Sequence, residues 1–189
     1  MGTDIFQGKI HIRKFTKNTE NIESAAAAVD ALAKEIWHEH YTPIIGAEQV
    51  RYMLEKFQSA EQICADIKHN DYIYFTAENT HSNETVGYCA CQPGENHLFL
   101  SKMYIRKDFR GRGLAGSLME EMTALCRYEY NFDKIRLNVA KPNTGSIAAY
   151  KKMGFETVDS VKIDIGGGFY MDDFLMELQI NRKKMINNQ

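Results

Sequence analysis

The sequence predicts an α+β fold with a mostly antiparallel sheet. Two observations carry that expectation. After one short strand pattern, the first third of the chain shows apolar residues at helical spacing, and from Tyr72 onward the period changes to the alternation of strands. Two later helical segments fall among those strands in an order that fits α+β rather than a repeating strand–helix alternation. The 189 residues hold no internal repeat and no Pro-, Gly- or Ser-rich linker, so one domain is expected over 1–189.

The elements follow in order. Lys9–Phe15 (KIHIRKF) alternates apolar and basic residues and reads as a first strand. A long helix comes next, with Asn18 or Thr19 as its expected cap. Ile22, Ala25, Ala26, Val29, Leu32, Ala33, Ile36 and Trp37 form its apolar stripe. Thr42-Pro43 breaks that helix, and two more follow over Ala47–Phe57 and Ala60–His69. Asn70-Asp71 is a turn signal. YIYFTAE and TVGYCACQ form a hairpin around a polar loop, and after Pro93-Gly94 the segment from His97 to Ile105 is the fourth strand. Leu114–Tyr130 is a helix with Leu114, Leu118, Met122 and Leu125 inward. Ile135–Val139 is a strand and Thr144–Met153 a short helix. Two closing strands, VDSVKIDI and FYMDDFLMELQI, flank Gly166-Gly167-Gly168, and the tail NRKKMINNQ (181–189) is polar and expected to fray.

Composition narrows the function. With 44% hydrophobic and 25% charged residues the chain can bury a core, which excludes a disordered class. A formal charge of -2 encodes no general affinity for nucleic acid or anionic membrane. No apolar run approaches the roughly 18 residues that span a bilayer. The start MGTDIFQGKI reads neither as a signal peptide nor, with Phe6 where Ser or Thr is needed, as a myristoylation site. A cytoplasmic, soluble protein is the expectation. Cys64, Cys89, Cys91 and Cys126 are scattered, no clustered ligand set accompanies them, and they are expected to be buried reduced thiols; no metal is implied. His38 and His40 diverge on a helix, which argues against a zinc pair.

The most informative stretch is Ile105–Gly116, IRKDFRGRGLAG, where a strand ends and glycines open a helix. Glycines allow close backbone approach, and a helix N-terminus offers free N–H groups and a positive dipole to an anion. Arg110 and Arg112 add charge, so a phosphate-bearing ligand is expected. Gly111, Gly113 and Gly116 satisfy GxGxxG literally, and Asp133 falls 20 residues after Gly113. A dinucleotide fingerprint nevertheless follows its strand directly and places its acid at the end of the next strand. Here Arg106 to Arg110 intervene and Asp133 precedes its strand, so a nicotinamide-dependent oxidoreductase rests on the glycines alone. A P-loop fails for want of a Lys-Ser/Thr pair.

Arg110-x-x-Gly113-x-Ala115 resembles the Q/R-x-x-G-x-G/A pyrophosphate loop of the GNAT N-acetyltransferase superfamily. Asn143-Thr-Gly-Ser-Ile-Ala-Ala-Tyr150-Lys-Lys-Met-Gly154-Phe155 resembles that family's N-x-x-A-x-x-x-Y-x-x-x-G-F segment, in the same order along the chain. The likeness covers about Val86 to Ile180, and the closing GGGFYMDDFLMEL is similar to bacterial spermidine/spermine-type members. The resemblance implies a mixed, twisted sheet flanked by helices with a splay between the fourth and fifth strands. It divides the domain into a helical acceptor-side segment (about 16–70) and an acetyl-CoA-binding core (86–180).

It also implies an activity: transfer of an acetyl group from acetyl-CoA directly to a primary amine of a small, polyamine-like molecule or a peptide. The cofactor arm would pair with Met103, Tyr104 and Ile105. The pyrophosphate would rest on Arg110, Gly111, Arg112, Gly113, Leu114, Ala115 and Gly116, and Asn143 would cap the next helix, contact the arm, or both. Tyr150, seven residues after Asn143 and on its helix face, would protonate the leaving thiolate. Where many members carry a glutamate on the fourth strand, this chain has Ser101 and then Lys102, so His97, Glu39 and His40 become the candidate bases. Trp37, His38, Glu39, His40 and Tyr41, with Tyr170, Asp172 and Asp173, would give an aromatic and acidic acceptor lining suited to a cation. Lys151 and Lys152 are expected in solvent. The missing strand carboxylate keeps a second class open, a CoA-binding sensor of the same fold without turnover. A homodimer is compatible with either.

Overall fold

The structure, a computed structural model, describes residues 9–180; the tail read above as frayed lies outside the described residues. The strand order across its seven-stranded sheet is β1-β2-β3-β4-β5-β7-β6. The backbone falls into two compact units, one of residues 9–92 with Ser101–Leu118 and one of Pro93–Leu100 with the chain from Met119 onward.

The first unit starts with β1 (Ile10–Phe15), which pairs antiparallel with β2 (Ile73–Asn79), and β2 pairs antiparallel with β3 (Glu84–Pro93). Between β1 and β2 run α1 (Ile22–His40), α2 (Thr42–Ile45), α3 (Ala47–Phe57) and α4 (Ala60–His69). The α1 stripe is buried as expected at Ile22, Ala26, Val29, Leu32, Ala33, Ile36 and Trp37, while Ala25 lies half-buried at its margin. Neither Asn18 nor Thr19 caps the helix. Thr19 instead closes a turn with Thr16, and Asn21 at φ 59 precedes the first helical residue without a side-chain cap. Thr42-Pro43 does end α1, but Pro43 then sits in the first turn of the short α2, where its missing N–H costs nothing. Ser59 caps α4 by accepting from the Gln62 amide. Every residue of β3 from Val86 to Cys91 is buried, so both of its faces are covered.

β4 (Leu98–Ile105) and α5 (Leu114–Ala124) each contribute to both units. His97 precedes β4 rather than opening it; its carbonyl accepts from the Gly94 amide and closes the turn. In the second unit β4 pairs parallel with β5 (Lys134–Ala140) over Leu98–Leu100, and β5 pairs antiparallel with β7 (Phe169–Gln179) along its whole length. β6 (Glu156–Gly166) forms the outer hairpin with β7 around three positive-φ glycines, Gly166, Gly167 and Gly168. The helix expected over Leu114–Tyr130 is split: α5 ends at Ala124, and Leu125–Glu129 winds into a π-helical turn, although the inward stripe Leu114, Leu118, Met122, Leu125 is kept. α6 (Thr144–Lys152) follows β5, capped by the Asn143 side chain accepting from the Ser146 amide at 3.3 Å. No described helix is long and apolar enough to cross a membrane.

Candidate active site

In the first unit the chain leaves β4, makes a 3₁₀ turn at Lys107–Phe109, and enters α5 through Gly111 and Gly113. Phe109 is buried and fixes the turn from below, with the Arg106 and Arg112 guanidinium groups 4.8 and 5.7 Å from its ring centre. The start of α5 is held close to β3 by Gly87: a Cβ there would lie 3.3 Å from the Tyr104 carbonyl oxygen and 3.5 Å from Leu114 Cδ2. Gly111 and Gly113 have φ of 74° and 83°, which a side chain would strain. Gly116 is different. It sits inside the first turn of α5 at an ordinary φ, where alanine would favour the helix by about 1 kcal/mol. A Cβ on it would meet nothing within 4 Å beyond its chain neighbours and its own helix backbone, so no packing against another element explains the glycine. The first N–H groups of α5 lack intrahelical partners by geometry, and they open onto this cleared backbone.

Four cations ring the loop. Arg106 is bidentate to Asp108 (2.9 and 3.1 Å) and also reaches Glu84. Arg110 donates Nε–H to the Ile105 carbonyl at 2.8 Å and both Nη groups to Glu39 (3.1 and 3.5 Å), and Lys107 Nζ is 3.4 Å from the same carboxylate. Burial pulls the Glu39 carboxyl up, but Arg110 and Lys107 together outweigh it and hold the group below its usual value. A carboxylate so engaged is a poor proton acceptor for as long as both pairs hold. Ser101 is half-buried beside the Tyr72 hydroxyl, whose own acidity burial weakens.

Of the residues expected around the acceptor, Trp37, His40 and Tyr41 lie together in this unit, with Tyr88 and Tyr104 beside them. Trp37 lies 4.6 Å from Tyr41 and 5.6 Å from Tyr104 between ring centres, His40 stands edge-on to Tyr41, and Tyr88 closes the cluster 5.3 Å from Tyr104. Trp37 is only 4% exposed, so it backs the cluster, while Tyr41, His40 and Tyr104 keep accessible surface. Sequence reasoning missed a polar group behind the sheet. Lys102 is buried, 3.1 Å from Asp66 Oδ2, hydrogen-bonded to the Tyr74 hydroxyl, and about 5 Å from the Tyr72 and Tyr74 ring centres. Desolvation lowers the Lys102 pKa and Asp66 opposes that shift. Both signals were in the sequence: Lys102 continues the inward alternation of Leu98 and Leu100, and Asp66 falls on the Ile63–Ile67 stripe of α4.

The second unit carries the other expected residues. Tyr150 is half-buried on α6, edge-on to Phe155 at 5.5 Å, and Lys151 and Lys152 point to solvent. Tyr170 is 51% exposed under the Lys162 ammonium, and Asp172 pairs with Lys141. Asp173, opposite Ala140 in the β5–β7 register, is buried; desolvation and then the Asp172 charge push its carboxyl up to about 6, against the pull of Lys141. Burial lowers the His97 pKa, with Arg136 and Lys134 adding to the shift, which leaves a neutral ring at pH 7. Of the four free cysteines three are buried, whereas Cys64 is half-buried; burial raises its pKa and pushes Cys126 up to about 11, so neither is an activated thiolate. Among the described residues no cluster of His, Cys, Asp or Glu is arranged to hold a metal ion.

The acetyltransferase (GNAT) family model matches residues 30–155. The L-amino acid N-acetyltransferase AaaT of Escherichia coli (strain K12) is 31% identical over 86 residues, 45% of this chain and 53% of that protein. The probable N-acetyltransferase san of Drosophila melanogaster is 30% identical over 79 residues, 40% of this chain and 43% of its own length. The chain thus spans about half the length of the curated relatives it matches. In backbone, it is similar to the PaiA N-acetyltransferase of Thermoplasma acidophilum, solved in complex with coenzyme A, at a TM-score of 0.73 and 20% identity over 90% of this chain and 99% of that one. The backbone likeness, the parallel β4–β5 pair and a family match covering two thirds of the sequence agree, and the chain belongs to the acetyltransferase (GNAT) family.

Proposed function

We propose that this chain is an acetyl-CoA-dependent N-acetyltransferase that moves the acetyl group directly to a primary amine. The observation that carries the reading is the start of α5, with two positive-φ glycines and a Gly116 where an added Cβ would meet nothing beyond its own helix backbone within 4 Å. The residues present fit the cofactor. The backbone N–H groups of Gly111 to Gly116 hold the pyrophosphate, with Arg110 and Arg112 beside them, and the helix dipole favours the charge. Met103, Tyr104 and Ile105, beyond the last β4–β5 pair at Leu100, offer backbone groups to the amides of the pantetheine arm.

Acetyl-CoA, when bound, supplies an activated acetyl thioester. The chain orients it, excludes water and manages protons. Tyr150 would give its hydroxyl proton to the departing sulfur, the proton shed by the attacking amine nitrogen would restore the phenol, and Asn143 fixes the start of the helix that carries it. Tyr41, His40 and Tyr104, backed by Trp37 and with Ser101 on the same unit, accept the amine-bearing substrate. Amino acids enter as acceptors through the Escherichia coli relative's name, and polyamines through the likeness to spermidine/spermine-type enzymes. The enzyme works in the cytoplasm, alone or as a homodimer.

Calorimetry tests the seat of the cofactor. Acetyl-CoA should bind the wild-type protein, and Gly116→Val, which fills the cleared space without a positive-φ penalty, should lose at least tenfold in affinity while remaining folded. Unchanged affinity in a folded variant would place the phosphates elsewhere.

A further inference from the structure

Resting on that reading, we infer that Glu39 is an internal anion that holds the place of the cofactor's phosphates on the cations of the glycine loop, and that coenzyme A binding releases it. Arg106 satisfies itself locally, on Asp108 and Glu84. Arg110 and Lys107 instead converge on one carboxylate 71 residues before Arg110 in the sequence. That carboxylate is the penultimate residue of α1, at the negative end of the helix dipole, where an acid is disfavoured. The helix therefore gives no reason for an acid here, and the loop's cations do.

The geometry suits exchange. The Arg110 guanidinium is pinned along one edge by the Ile105 carbonyl and presents its remaining N–H groups to a forked anion; a phosphate offers the same fork with more charge. Both side chains are about one third exposed (36% and 35%), so water and salt reach the pair and its net strength is small. It can hold a loop in place and still yield to a phosphate. The last turn of α1 also carries Trp37 and His40, with Tyr41 just beyond, so releasing Glu39 frees the end of the helix that the reading assigns to the acceptor.

The test is calorimetric titration of coenzyme A into wild type and Glu39→Gln at low and high salt. Without the competing carboxylate, affinity should rise about three- to fivefold at low salt, and the advantage should shrink as salt screens the wild-type pair. A mere packing role for Glu39 gives no such salt dependence. Equal or weaker binding by the folded variant overturns the inference alone, as does a gain that salt does not change. Should the Gln variant fail to fold, Glu39→Ala carries the same comparison. Binding of coenzyme A by none of these proteins overturns the proposed function as well.

Discussion

At Asp173 a carboxyl is buried on β7 with Asp172 beside it and a pKa of about 6, against 3.8 for an ordinary aspartate. The folded state therefore binds more protons than the unfolded state between those values, so its contribution to stability is present below pH 3.8 and lost as pH rises through 6. The gap corresponds to about 3 kcal/mol at most. Asp173→Asn should be more stable than wild type at pH 7.5 by about 1–3 kcal/mol, with the advantage gone near pH 4. Urea unfolding at both pH values checks this, and a constant difference would show that Asp173 does not titrate in that window. Legibility at this scale was uneven. Asn143 as a cap could be read because capping is local. The Glu39–Arg110 pair could not, because it joins residues 71 apart whose meeting depends on the fold.

Elements were read well where their cause is periodic and poorly where it is conformational. The bounds of α3 and α4 follow from amphipathic spacing and match the sequence reading residue for residue. The αL start of α1 at Asn21, the single turn of α2 and the π turn after Ala124 leave no periodic trace, being set by local dihedrals and by what packs above them. The tie between α4 and β4 is ionic. Asp66 accepts from Lys102, Gln62, Asn70 and Tyr74, whereas the Lys102 ammonium donates, among the described residues, to Asp66 and the Tyr74 oxygen. Asp66→Asn should cost about 3–5 kcal/mol at pH 7, because it leaves a buried ammonium without a countercharge. Its Lys102 pKa falls further below that of the unfolded chain, so the folded state binds fewer protons and stability recovers as pH rises toward 10. The Asp66→Asn/Lys102→Met double variant should regain most of the loss. Denaturant midpoints across the cycle decide it; an Asp66→Asn variant as stable as wild type would show that the pair contributes little.

Across the whole molecule, the order of strands and helices and the two motifs at Arg110–Gly116 and Asn143–Phe155 were enough to anticipate the family, because both motifs are contiguous and each depends on its own local backbone. The partners of the candidate proton acceptors could not be read, since long-range contacts decide them: Glu39 meets Arg110 and Lys107, and Lys102 meets Asp66. The central claim is acetyl transfer, and the most direct measurement is release of free coenzyme A thiol from acetyl-CoA in the presence of L-amino acids, spermidine and a short peptide. Release should require both the protein and one of these amines, with intersecting initial-velocity lines from a ternary complex. In Tyr150→Phe kcat should fall roughly tenfold or more, the lower end of general acid assistance, with acetyl-CoA affinity retained. Tight acetyl-CoA binding with no amine-dependent release would contradict the account and leave a cofactor-binding sensor; parallel lines with an acetylated cysteine would contradict direct transfer.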